Sequence, residues 1–216
     1  MLNNLFDSID PLLTELFEGF EYPWQVLPVL EDFLKSKIRA AVNGTISDSA
    51  EIEPECMYMG AGTRVLGHAR IEGIVYIGEN CLIGHGALLR GAVYLGDDCV
   101  VGQGVELKNH VAMNRSKLSH LNSLPDAIVG NDVGVAGGAM FANVTLYNSE
   151  VKASLADTRV RTGLKMFSTV IGDRVQVGAN AVLGPGAVLE QDSVVYPCVR
   201  FNGFAPKGAA VKDNSY

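Results

Sequence analysis

Two hydrophobic periods divide the chain. In "SIDPLLTELFEGFEYPWQVLPVLEDFLKSKI" apolar residues fall three and four apart, the spacing of one helix face. Asp10 is placed to cap a helix whose first position is Pro11, and Gly19 to end it. A second helix is predicted from Pro23 or Pro28, with Leu30, Phe33, Leu34 and Ile38 on its apolar side. From residue 59 the period becomes six: Met59, Val65, Ile71, Ile77, Ile83, Leu89, Leu95, Val101 and Leu107 are aliphatic without a miss. Four residues after each of the first eight stands a small or β-branched residue: Thr63, Ala69, Val75, Cys81, Ala87, Val93, Cys99 or Val105. The same rule returns at Val129/Val133, Ile171/Val175, Val177/Ala181, Leu183/Ala187 and Leu189/Ser193.

A six-residue repeat cannot bury its own apolar face, so many must stack into a solenoid with one continuous core. Three such repeats make a triangular coil, and residues one coil apart stand over one another at about 4.8 Å. Cys81 and Cys99 form such a pair and read as stacked core thiols rather than a disulfide. The pattern predicts an N-terminal helical region at 1–42 that caps or docks on the rest, a β-helical domain at 43–200, and a C-terminal tail at 201–216.

The count of six lapses in "LKNHVAMNRSKLSHLNSLPDAIVG", residues 107 to 130, a polar segment with two of the four histidines. It is expected to leave the coil and hold the active site. One coil separates Arg90, after Leu89, from Lys108, after Leu107, so two cations project from stacked rungs. Such a pair repels itself unless an anion lies between, and phosphate suits it. Spacing alone also allows two solvated surface charges. His120 follows Lys108 by twelve residues and titrates near neutrality, so it can take a proton from an amine or hydroxyl. His68 and His85 read as structural, and His110 has no assigned role.

Composition narrows the classes. With 216 residues, 48% of them hydrophobic, the chain can bury one good core. A net charge of -7 argues against a nucleic-acid partner. The N-terminus has no basic leader and carries acids among its apolar residues, which suits neither a signal peptide nor a membrane span and leaves a cytoplasmic location as the default. The four cysteines show no CxxC spacing, against a zinc site or disulfide framework.

The hexads resemble the hexapeptide-repeat family, which implies an all-β fold, a left-handed parallel β-helix; the handedness comes from the resemblance alone. "LLRGAVYLGDDCVVGQGVELKNHVAMNRSKLSHL" is similar to the acetyltransferase half of the bacterial and archaeal bifunctional N-acetylglucosamine-1-phosphate uridyltransferase/glucosamine-1-phosphate acetyltransferases. "LPDAIVGNDVGVAGGAMFAN" and "RTGLKMFSTVIGDRVQVGANAVLGPGAVL" resemble the following segments of the archaeal-type branch. The resemblance implies an acetyl-CoA-dependent N-acetyltransferase acting on an amino-sugar phosphate, glucosamine-1-phosphate foremost. Arg90 and Lys108 would hold the phosphate, His120 would act as base, and Asn143 would contact the sugar and acetyl group. Glu106 is a candidate to orient His120, and the CoA arm would run near Gly137 and Ala179. The chemistry requires no metal, and the family implies a homotrimer. Ser123, Gly134 and Val144 depart from the Tyr, Asn and Tyr usual at those places, which alters the sugar pocket. Residues 1–40 carry no glycine-rich nucleotide signature, so uridyl transfer is not expected of this chain. The alternatives are acyl transfer to a nucleotide-linked amino sugar and a non-catalytic β-helical scaffold.

Overall fold

Each hexad forms one short strand and one corner. In the computed structural model, which describes residues 2 to 212, strands from Ala41–Val42 to Ala210–Val211 wind as a left-handed parallel β-helix with three faces. On the second face Val65, Ile83, Val101, Leu118, Val135, Val177 and Val195 pair rung to rung and are all buried inside the prism. Met59, Ile77 and Leu95 do the same on the first face, and Ile71, Leu89 and Leu107 on the third. The compact residues between them, from Thr63 to Val105, are buried as well. Cys81 and Cys99 are both free buried thiols.

The expected interruption at 107 to 130 is instead ordinary coil. Leu95 pairs with Ala112, Val101 with Leu118 and Leu107 with Leu124. These turns are one residue shorter than the turns below them. The missing residue falls at the corner between the third and first faces, where the register slips between Arg90 and Val93 and Asn109 alone spans what Gly91 and Ala92 span on the rung beneath. Shortening a corner shifts the count of six without disturbing the stack. The chain truly leaves the coil later, between Phe141 and Thr169, where it forms an antiparallel hairpin of Lys152–Leu155 and Thr158–Arg161.

At the C-terminus Arg200–Phe201, Phe204–Ala205 and Ala210–Val211 still pair with the coil below, so residues 201–211 are its continuation rather than a tail. Ala205 is buried in the same core. Residues 213–216 lie outside the described set. The N-terminal boundary also shifts slightly, because Ala41–Val42 already pairs with the first face.

The N-terminal segment covers the outside of that first face. Helix α1, Pro11–Phe17, starts with the Asp10 carboxylate accepting the Leu12 N–H at 2.8 Å. A 3-10 turn, Pro23–Val29, leads into α2, Leu30–Lys37. Leu13, Leu16, Trp24, Leu30 and Leu34 bury against the outward side chains Ile74, Tyr94, Val111, Ile128, Val170 and Val188. Tyr58, Tyr76 and Tyr94 form a ladder with ring centroids 4.9 Å apart, one strand spacing per step. Asp173, buried, ties this layer down by accepting the N–H groups of Asp7 and Asn131.

His110 is a polar residue in an apolar column, stacked on Val93. It is fully buried; Nδ1 donates to the Leu124 carbonyl at 2.9 Å while Nε2 has no partner. Burial pushes its pKa down to about 4 from 6.5. Between those values the unfolded chain takes a proton that the folded chain refuses, so stability is full above the unfolded pKa and is lost as pH falls toward 4. On urea denaturation, the wild type is expected to lose about 2–3 kcal/mol more than His110→Val between pH 7 and pH 4.5.

Candidate active site

The third face is the shortest, and its outward side chains come from a few rungs. Glu106 stands over Leu88, and Ser123 over Glu106; Lys108 stands over Arg90. The two cations therefore do occupy stacked rungs. Each, however, has a carboxylate of its own. Arg90 reaches Glu106 through Nε at 2.9 Å and Nη2 at 2.6 Å. Lys108 lies 3.8 Å from Asp126, with Met166 Sδ at 3.7 Å. The chain supplies internally the counter-charge that stacking demands.

Asp126 organises the corner. At the lower rungs this corner uses Gly73 and Gly91 at φ +86° and +71°; above them it uses Asn109 and Asp126 at +45° and +49°. Asn and Asp tolerate that left-handed conformation better than most residues, because their short side chains bond locally. A side chain on Gly91 would meet Asn109 Oδ1 and sit in a left-handed conformation, both of which favour glycine on the rung beneath. Asp126 then accepts Asn109 Nδ2 at 3.0 Å on one oxygen and Asn143 Nδ2 at 2.5 Å on the other. Its backbone bonds both limbs of the neighbourhood: its N–H donates to Lys108 O and its carbonyl accepts from Ser168. The excursion thus leaves through Asn143 at the Asp126 carboxylate and returns through Ser168 at the Asp126 backbone carbonyl. A pocket of about 260 Å³ opens beside Asn109 and Asp126, with Leu27 and Pro28 of the N-terminal segment and Lys165 and Met166 of the returning limb on its walls.

His120 sits at the other end of the face. It is exposed, at the corner where the chain enters the third face, and its carbonyl accepts the Gly138 N–H. Gly137 and Ala179 follow it up the same edge, with Asn180 donating to Gly137 and Cys198 to Ala179. The three residues form one column. A side chain at Gly137 would meet His120 O at 3.5 Å, an ordinary contact, so the coil does not itself require glycine there. Glu106 lies between the two ends, but its oxygens engage Arg90 and, at 3.3 Å, the Ser123 hydroxyl rather than the imidazole. Arg90, Lys108, Glu106 and Asn143 are thus brought together, and His120 faces them across the width of the face.

The departures have local explanations. Ser123 supports Glu106. The volume beside Gly134 belongs to Gln176 on the next rung, whose Oε1 would stand 2.3 Å from an added side chain. Val144 lies in the excursion, half exposed. The residue missed in the sequence is Asp126. Counting eighteen residues on from Lys108 reaches it, but the shortened coil sets Pro125 over Lys108, and only the structure shows that Asp126 bonds both asparagines.

Two family models match: the GMPPB C-terminal domain over residues 71–163 and the bacterial transferase hexapeptide (six repeats) over residues 168–203. The chain thus carries transferase hexapeptide repeats, and the matches support an acyltransferase. It is 34% identical over 170 residues to the bifunctional protein GlmU of Synechococcus elongatus, a match covering 77% of this chain and 30% of that one. To the bifunctional sugar-1-phosphate nucleotidylyltransferase/acetyltransferase of Sulfurisphaera tokodaii it is 30% identical over 91 residues, covering 42% of this chain and 23% of the relative. The chain therefore spans less than a third of these relatives. A crystal structure of UDP-N-acetylglucosamine acyltransferase superposes with a TM-score of 0.45 at 14% identity, covering 82% of this chain and 72% of the other. No helix among the described residues is long and apolar enough to cross a membrane.

The two ion pairs should differ in worth. Asp126→Ala would strand a largely buried lysine and two amides and is expected to cost about 3 kcal/mol. Arg90→Ala breaks a pair with side chains 39% and 32% exposed and should cost at most about 1 kcal/mol. Urea denaturation midpoints of the two variants would check the order.

Proposed function

We propose that this chain transfers the acetyl group of acetyl-CoA to the amine of an amino-sugar phosphate, glucosamine-1-phosphate being the first candidate. The observation that carries the reading is the third face itself. A stacked arginine and lysine stand at one end and an exposed histidine at the other, on a coil whose relatives include acetyltransferases. The half-exposed Arg90–Glu106 pair is weak in water, so a phosphate dianion competes for the guanidinium, and Lys108 adds a point charge. The long side chains of Arg90 and Lys108 let the phosphate lie out over the face, with the amine toward His120.

His120 accepts a proton from the amine as its nitrogen attacks the thioester carbonyl carbon. The new C–N bond forms, the C–S bond breaks, and the proton leaves with the CoA thiolate. Asn143, held by Asp126, presents its amide at the sugar and acetyl end, where fixed donors stabilise the developing oxyanion. The CoA arm follows the His120–Gly137–Ala179 column. The first face is spent on the chain's own N-terminal segment, so a homotrimer forms through the remaining two.

Thiol release from acetyl-CoA with glucosamine-1-phosphate tests this. His120→Ala is expected to lower turnover at least about 100-fold while sedimentation still shows a trimer. Lys108→Ala should raise KM for the sugar phosphate more than it lowers kcat. A folded wild-type trimer that releases no thiol would reject glucosamine-1-phosphate as acceptor.

A further inference from the structure

A second concavity lies higher on the same face. The loop and hairpin of the excursion stand off the outward surface of the Val182 and Arg200 rungs and enclose a groove of about 620 Å³, within the usual range of small-molecule sites. Its charge sets it apart. Arg70, Arg90, Arg115, Arg161 and Arg174 each lie against a carboxylate. Lys152, Arg159 and Arg200 all line the groove, and among the described residues none has a carboxylate within 4.0 Å. The acid on the wall, Glu150, is held by Arg161 at 2.5 Å and by the Gly163 N–H. Three cations with no described carboxylate in ion-pair contact thus share one cavity in a chain of net charge -7. Arg159 reaches Asn202 on the floor at 3.5 Å. Tyr147, also on the wall, is 91% exposed and offers a ring face.

Three cations around one concavity repel one another and favour a ligand with several negative charges. Guanidinium groups grip phosphate oxygens in pairs, and an exposed tyrosine stacks on a flat ring. We propose that this groove binds a nucleoside diphosphate, with the phosphates among Lys152, Arg159 and Arg200 and the base against Tyr147. Ser123, Met140, Val182 and Arg200 occupy successive rungs, each about 4.8 Å from the next. The groove therefore begins about two rungs beyond Ser123, close enough for one extended substrate to occupy both sites. That substrate is either a nucleotide-linked amino sugar or CoA, whose adenosine end carries the same chemistry. The link between groove and transfer rests on the acyltransferase reading; nucleotide binding does not.

Isothermal titration of the assembled protein with UDP and with CoA tests the site. The expected result is saturable binding that weakens at least tenfold in the Arg159→Gln/Arg200→Gln double variant, weakens in Tyr147→Ala, falls with added salt, and is unchanged in Arg70→Ala. A loss confined to UDP assigns the groove to a nucleotide-linked acceptor, and a loss confined to CoA assigns it to the acyl donor. Sedimentation and melting show whether the double variant remains assembled; if it does not, Lys152→Gln repeats the comparison. Neither ligand titrating, or both binding the variants as tightly as the wild type, overturns the proposal. Thiol release with glucosamine-1-phosphate separates the two readings. Transfer that persists while neither UDP nor CoA binding depends on the groove residues sinks the groove alone, whereas nucleotide binding without any transfer rejects glucosamine-1-phosphate as acceptor and leaves the groove.

Discussion

Every feature of this protein depends on rung-on-rung stacking at one strand spacing. Because parallel strands hydrogen-bond in register, a residue's neighbours are fixed by the coil and not by the local chain. Inside the prism this turns a six-residue rhythm into continuous aliphatic columns. Outside it turns isolated tyrosines into a ladder at 4.9 Å. It also favours glycine at 91, because the Asn109 side chain of the next rung fills its space.

The same constraint governs electrostatics. Like charges one coil apart cannot avoid each other, so the third face answers Arg90 with Glu106 and Lys108 with Asp126. Asp126 is the more consequential partner. It is largely buried, sits in a left-handed conformation, and bonds the asparagines above and below it. On the proposed reading a substrate phosphate would meet cations that are already positioned, in exchange for a weak exposed ion pair on Arg90 and with the buried contact on Lys108 left intact.

The three faces differ because, among the described residues, the N-terminal segment covers only one of them. The N-terminal segment closes the first face with an apolar layer fastened through Asp173, and its Leu27 and Pro28 reach the pocket beside Asp126. The excursion rises from the third-to-first corner and overhangs the upper third face. The candidate acceptor site and the cationic groove are consequently parts of one surface, separated by about two rungs. His110, inside the prism beneath this surface, is a buried imidazole in a largely apolar column, and acid acts on the fold through its unmet Nε2.

The period of six was legible in the sequence because burying an aliphatic at each corner-to-corner interval leaves a one-dimensional trace. The stacked thiols and the Arg90–Lys108 rung pair followed from that trace, and the helix cap at Asp10 from its place before Pro11. The segment after Leu107 was misread as an exit from the coil, because one residue lost at a corner breaks a count while leaving the stack whole. The tail was misread in the same way: its coil steps are uneven, yet Phe201, Ala205 and Val211 keep the register. Partnerships were out of reach altogether. That Glu106 serves Arg90 and Ser123, that Asp126 gathers Lys108 and two asparagines, and that three distant cations line one groove depend on which side chains the rungs and the excursion bring within a few ångströms. Periodicity determines which residues share a column, whereas contacts across columns and corners are decided only when the chain closes on itself in three dimensions.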